Sequence, residues 1–196
     1  EIQHSLLTGT MGKAVDEARR AGQVVHRLRN FYRGGIVQRQ QISIPSFLQE
    51  SIAVLQNRAE RHSISIRISY LQQLPDIQAD RVQLETVLHN LVYNSIDAIV
   101  EAQSTRREII IDASVLSADE ICICVSDSGP GIPPEMQPRV FEPFTTGKTD
   151  GTGLGLAISR SLVEANQGKI WLDEPFIGGT RFCFSVPVSI PTGNHD

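Results

Sequence analysis

The sequence predicts an α+β fold, a two-layer α/β sandwich preceded by one long helix. Three observations predict it. Apolar and polar residues alternate in short runs such as "SISIRISY" (63–70) and "EICICVSD" (120–127), the period of strands. Apolar residues at helical spacing recur between those runs, over 46–62, 80–102 and 154–168. Strands that directly follow one another are separated by short turns, which predicts antiparallel pairing with the helices covering one face.

The elements follow in order. Residues 11–33 form a long amphipathic helix, with Val15, Ala18, Gly22, Val25, Leu28 and Tyr32 on one stripe. A narrow stripe with small residues suits a helical bundle or coiled coil. Gly34 and Gly35 end it, and a polar connector leads into a short strand. The expected organisation is therefore a helical segment over 1–39, an α/β domain over 40–190 and a tail over 191–196. Within the domain, the helix over 46–62 turns Phe47, Ile52, Leu55 and Ala59 inward. "DIQA" (76–79) is a short strand, and Asp80 is placed to cap the helix over 80–102. Runs 108–116 and 120–129 are consecutive strands, and 168–174 with 180–188 make a final pair.

Composition bounds the function. The chain has 196 residues, 40% of them hydrophobic, enough for a real core, and a formal net charge of -4 that argues against bulk nucleic-acid binding. No stretch approaches the ~20 apolar residues of a membrane span. No signal peptide is expected, and the abrupt start suggests part of a longer protein. Cys122 and Cys124 alternate on one strand face and read as buried, reduced thiols in a cytoplasmic setting. A metal pair would want two or more residues between them.

The chemistry gathers in four places. Asn90 and Asn94 are one helical turn apart on one face, with Asp97 a further turn on and Leu88, Leu91, Val92 and Ile96 around them. Amide oxygens there suit a Mg²⁺ held mainly by phosphate; capping or plain exposure is the bland alternative. Asp127 ends a strand and is followed by Gly129 and Gly131, either an ordinary turn or a carboxylate held for a ligand amine. "FEPF" (141–144) and "TTGKTD" (145–150) lack periodicity and read as a mobile lid. "GTGLGL" (151–156) opens a helix, and its glycines either make a corner or bare the backbone N–H groups to an anion. "GKT" (147–149) is not a P-loop, since Glu142 stands where that motif needs glycine.

"HNLVYNSIDA", "DSGPGI", "FEPF" and "GTGLGL", in that order, resemble the N, G1, F and G2 boxes of sensor histidine kinases, and "GGTRFCFSVP" resembles the family's closing strand. The likeness covers roughly 40–190, and residues 14–35 are similar to the second dimerisation helix of oxygen-sensor-type kinases. It implies a two-layer sandwich shared with gyrase, a chaperone and repair-protein ATPases, with ATP held between helices and a lid. It implies that Asp127 binds the adenine amino group, with Gly129 and Gly131 admitting the base and Thr180 beside it. Asn94, with Asn90 next to it, would hold Mg²⁺ and serve catalysis. Gly151, Gly153 and Gly155 would line the triphosphate, with Lys148 reaching it from the lid. Phe141 and Phe144 would anchor the closed lid. Ile132, Phe144, Thr152, Leu154 and Leu156 would complete the nucleotide contacts. Asp97 falls at a nucleotide-side position where many such kinases carry lysine or arginine, so the phosphate-side charge must come from elsewhere.

Hydrolytic relatives place a glutamate base four residues before the Mg²⁺ asparagine; here that residue is Asn90, and an amide cannot take the proton. Transfer to protein is therefore favoured over hydrolysis, with a regulatory ATP-binding module as the third class. None of the five histidines, 4, 26, 62, 89 and 195, is followed by a sequence like the family's acceptor motif. The expected partners are an acceptor-histidine helix of the same protein or its dimer mate and a response-regulator receiver domain. A homodimer is expected of the full protein, without nucleic acid or a membrane segment in this chain.

Overall fold

A computed structural model describes residues 37–70, 73–148 and 151–189. The chain divides between Gly35 and Ile36. The helix expected over 11–33 and the tail over 191–196 lie outside the described residues. The second unit runs β1 (Gln40–Ile42), α1 (Ile44–Arg61), β2 (Ser65–Tyr70), β3 (Ile77–Ala79), α2 (Arg81–Glu101), β4 (Glu108–Ser117), β5 (Glu120–Asp127), a 3-10 turn (Gln137–Arg139), α3 (Gly155–Ala165), β6 (Ile170–Leu172) and β7 (Arg181–Pro187).

Local chemistry sets the helix ends. Pro45 sits in the first turn of α1, where its missing N–H costs nothing, and Arg58 and Arg61 lie in the last turn beside the negative end of the dipole. Asp80 caps α2 as expected, its carboxylate accepting from the Gln83 N–H at 3.1 Å. Asn166, just past α3, is fully buried. Its Oδ1 accepts from the Asp80 N–H at 2.7 Å and its Nδ2 donates to Gln83 and to the Leu162 carbonyl, both at 2.8 Å. That side chain bolts the end of α3 to the start of α2.

The main sheet has the order β2-β4-β5-β7-β6, and β1 pairs with β3 in a separate two-stranded sheet. The consecutive pairs β4–β5 and β6–β7 are antiparallel, as expected, and so are β5 and β7, which are not consecutive. β2 and β4 are parallel instead, because β3 and the whole of α2 intervene and carry the chain back across the sheet. Ile109 and Ile111 of β4, Ile121, Ile123 and Val125 of β5, and Phe182, Phe184 and Val186 of β7 join one buried cluster. In that cluster they meet Phe47, Leu48, Leu55 and Ala59 of α1 and Leu88, Leu91, Val92 and Ile96 of α2. The alternate residues Cys122, Cys124 and Cys183 form a second small cluster with Trp171.

The cysteines depart from expectation. Cys124 and Cys183 stand opposite each other in the β5–β7 register and form a disulfide, 59 residues apart in sequence. Both strands turn these residues to the same face at a Cα–Cα distance of 4.0 Å, so the sulfurs meet. Cys122 is the free thiol, buried, and burial followed by the nearby Asp112 carboxylate pushes it up to about 11.

Candidate functional site

Asp127 ends β5 with its side chain 7% exposed. Its Oδ1 accepts from the backbone N–H of Gly129 at 2.8 Å and of Thr180 at 3.2 Å, and its Oδ2 accepts from Ser95 Oγ at 3.1 Å. Burial raises the carboxyl above its ordinary value, and these three donors partly counter it. The surrounding turn is glycine-rich for steric reasons. A Cβ on Gly129 would sit 2.8 Å from Asp127 Oδ1, and one on Gly179 would sit 1.7 Å from the Asp127 carbonyl oxygen. Gly131 takes φ +80, a backbone that side chains disfavour. Thr180, buried, also accepts the Asp127 N–H at 2.9 Å, so β7 and β5 close around the carboxylate.

Helix α2 supplies the next groups. Asn90 and Asn94 are both half-buried and one turn apart. Asn90 Nδ2 reaches the Gly155 carbonyl and Ser159 Oγ of α3, both at 3.4 Å. Asp97 gathers two cations: its Oδ1 accepts from Arg58 at 2.8 Å and its Oδ2 from Lys148 at 3.0 Å. Arg58 also lies over the Tyr93 ring, 4.6 Å from its centroid. The acid at position 97 is thus matched by a base from α1 and a base from the segment after the 3-10 turn.

The three glycines of 151–155 have different neighbours. A Cβ on Gly151 would meet Thr146 Oγ1 at 2.3 Å, and one on Gly153, at φ +63, would meet the Phe144 carbonyl carbon at 2.5 Å. Both are accounted for by the chain folding on itself. Gly155, at the start of α3, faces only Asn90 Cγ at 4.0 Å. Phe141 packs edge-on against Phe182 at 5.8 Å between centroids. Phe144 is 75% exposed at φ +66, and its N–H donates to the Gly153 carbonyl at 2.9 Å. Leu154 is buried, Ile132 and Leu156 pack against the main core, and Thr152 is half-buried.

One helix ties these places together. Ser95 of α2 bonds Asp127, Asn90 bonds α3, and Asp97 holds Lys148. Ser95 and Gly179 stand inside motifs the sequence offers but carried no assigned role, and Arg58 stood outside them. Ser95 sits beside Asn94 and Gly179 beside Thr180, so adjacency to a motif residue was the available signal; Arg58 offers none, being 39 residues from Asp97.

Residues 79–190 match the family described as histidine kinase-, DNA gyrase B- and HSP90-like ATPase. The chain belongs to this family. Within it, the relatives are sensor kinases. The sensor protein FixL of Bradyrhizobium diazoefficiens is 35% identical over 179 residues, covering 91% of this chain and 35% of that protein. The sensor histidine kinase TmoS of Ectopseudomonas mendocina is 31% identical over 180 residues, covering 91% of this chain and 18% of that protein. The chain thus spans about a third or less of these relatives. Among solved structures, full-length ShkA in complex with AMPPNP has a TM-score of 0.77 at 26% identity, covering 91% of this chain and 38% of that one. The nucleotide-free catalytic domain of the histidine kinase ThkA has a TM-score of 0.67 at 29% identity, covering 77% of this chain and 96% of that one. The chain carries the ATP-binding catalytic module of the histidine-kinase kind. Among the described residues no helix is long and apolar enough to cross a membrane.

Proposed function

We propose that the chain binds ATP along α2, adenine at Asp127 and phosphates at the start of α3, and transfers the γ-phosphoryl group to a histidine of an acceptor helix. The observation that carries this is the single helix α2, which meets the start of α3 at Asn90, the buried Asp127 carboxylate at Ser95 and the cation Lys148 at Asp97. Asp127 already accepts three hydrogen bonds, which fix its carboxylate. Its remaining acceptor capacity suits the adenine amino group. Gly129 and Gly131 leave the base room. The N–H groups of α3 from Gly155 onward carry the partial positive charge that phosphate oxygens want. Ile132, Leu154, Leu156 and Thr152 flank the ligand, with Thr180 at the adenine end and Gly151 and Gly153 shaping the loop beside the phosphates. Lys148 exchanges its bond to Asp97 for one to phosphate, and Arg58 keeps Asp97 paired.

The residues fit Mg²⁺. Asn90 commits its Nδ2 to α3, which leaves its oxygen as a neutral hard donor one helical turn from Asn94. Asn94, supported by Asn90, would hold the ion, which would neutralise charge on the phosphates. Water activation lacks a base at Asn90, whereas a histidine nucleophile needs chiefly to be positioned. The onward acceptor is a response-regulator aspartate, the full protein a homodimer, and this module cytoplasmic; the sensor-kinase relatives support that setting. The helical segment over 1–39 would serve dimerisation and the domain over 40–190 the nucleotide. Calorimetry with ATP, with and without Mg²⁺, tests the core of the proposal: binding that vanishes on chelation is expected, and absence of ATP binding at millimolar ligand overturns it.

A further inference from the structure

The outer face of the main sheet holds chemistry that nucleotide binding does not use. Cys122 and Cys124 of β5 and Cys183 of β7 are 5%, 4% and 1% exposed. Their sulfurs all lie within 4.8 Å of one another, and the Cys122 and Cys124 sulfurs are 3.5 Å apart. They are separated from the main core and packed under Trp171, the one tryptophan of the chain. The pair on β5 alone has the wrong spacing for a metal site, with one residue between; the third sulfur arrives across the β5–β7 register.

We infer that, with the Cys124–Cys183 bond reduced, these three cysteines form a trigonal thiolate site for a soft d10 cation. Three sulfurs around one ion at the ~2.3 Å of a zinc–thiolate bond stand about 4 Å apart. The Cys122 and Cys124 sulfurs, 3.5 Å apart, fall just short of that value and all three lie within 4.8 Å of one another, so the disulfide must open and the sulfurs spread slightly. Thiolate ligands select soft ions over magnesium or calcium. The charge around the site favours a cation. Asp112 stands opposite Cys124 in the sheet, Glu120 bonds Ser185 Oγ at 3.1 Å, and Asp173 pairs with Arg181 at 3.0 Å, so three carboxylates stand against one guanidinium. Asp112 is itself held by Arg181 at 2.9 and 3.0 Å and Glu120 by Ser185, which leaves the three sulfurs as the ligand set. The balance is explicit. A phosphine reductant takes the oxygen of one water as the disulfide becomes two thiols, and a divalent ion then displaces three thiol protons to give a tris-thiolate of net charge -1. The ion would replace the disulfide as the link between β5 and β7.

Cadmium alone is the probe, added to the phosphine-reduced chain of 196 residues. One Cd²⁺ per chain is expected, with a sulfur-to-cadmium charge-transfer band, a changed Trp171 emission and protection of all three thiols from alkylation. Loss of an outer partner of a metal ligand costs roughly 10–100-fold in affinity, so Cys122→Ser, which removes a ligand itself, should weaken binding by at least that. Protection of two thiols or fewer, or equal affinity in Cys122→Ser, would overturn the site. Thiol counting on the unmutated chain decides the matter even where that variant does not fold.

Discussion

Asp127 is nearly out of contact with water, and among the described residues it is the one acid whose carboxyl burial holds above its ordinary value of 3.8. Between that value and the raised one, the folded chain holds a proton that the unfolded chain has released. Stability from this group is therefore full below 3.8 and falls as pH rises through the raised value. At neutral pH the charged carboxylate costs stability, and only its three donors limit the cost. Asp127→Asn removes the charge while its oxygen still accepts from Gly129 and Thr180 and its amide donates to Ser95. The variant should melt no lower than the parent. Its ATP affinity should fall roughly 10- to 100-fold, the worth of one hydrogen bond to a charged group, and its GTP affinity much less, because only adenine offers the amino group. Calorimetry with both nucleotides checks this; equal losses would remove adenine from Asp127. Native ATP binding should likewise weaken on acidification before ordinary carboxylates titrate. Asp127 was legible in the sequence because a carboxylate, a strand end and two glycines fall within five residues. Ser95 and Asn166 were not, since their partners lie 32 and 86 residues away and no local pattern announces a pairing at that range.

Helices and strands were legible wherever one face is apolar and the other polar, because burial imposes the period. The parallel pairing of β2 with β4 was not, since strand alternation carries no direction and the crossover through α2 had to be seen. The glycine loop was legible only as glycine-rich. Sequence cannot separate glycines needed for the chain from glycines needed for a ligand; the neighbours can. At Gly153, alanine would meet the Phe144 backbone at 2.5 Å in a left-handed conformation, which alone costs about 1–2 kcal/mol. Gly153→Ala should lower the melting temperature and speed hydrogen exchange around Phe144. Gly155→Ala meets open space next to Asn90 and, at the first position of α3, costs the helix nothing. It should melt no lower than the parent but bind ATP more weakly, since its methyl enters the proposed phosphate position. Unchanged ATP affinity in Gly155→Ala would move the phosphates elsewhere. Exchange over 138–148 should slow when a non-hydrolysable ATP analogue is added, because Lys148 then trades Asp97 for phosphate and the segment closes. Equal exchange with and without saturating analogue would deny the segment a lid role.

At the scale of the whole chain the question is where the phosphoryl group goes. A nucleophilic histidine must present a free ring nitrogen to the γ-phosphorus, in line with the leaving oxygen. His89 commits one of its two: its Nε2 donates to the Ser51 carbonyl at 3.0 Å, which ties the ring to the α1–α2 contact and leaves only Nδ1 with a lone pair. His62 closes α1, and its carbonyl accepts from Arg107 at 2.8 Å, which places it in the turn that joins α1 to β2. His4, His26 and His195 lie outside the described residues, and none is followed by a sequence like the acceptor motif of sensor kinases. The proposed acceptor is therefore none of the five histidines of this chain. Incubated alone with Mg²⁺ and ATP labelled at the γ-phosphate, the chain should bind nucleotide and gain no acid-labile, base-stable label. Given a polypeptide that carries an acceptor-histidine helix of the sensor-kinase kind, it should place label there, and Asp127→Asn should slow that transfer at subsaturating ATP. Label on the chain alone that disappears in His4→Ala would put the acceptor at His4 instead. ATP binding with no transfer to any acceptor helix would favour the regulatory module, and steady phosphate release without acceptor would show that water reaches the phosphorus despite the amide at Asn90.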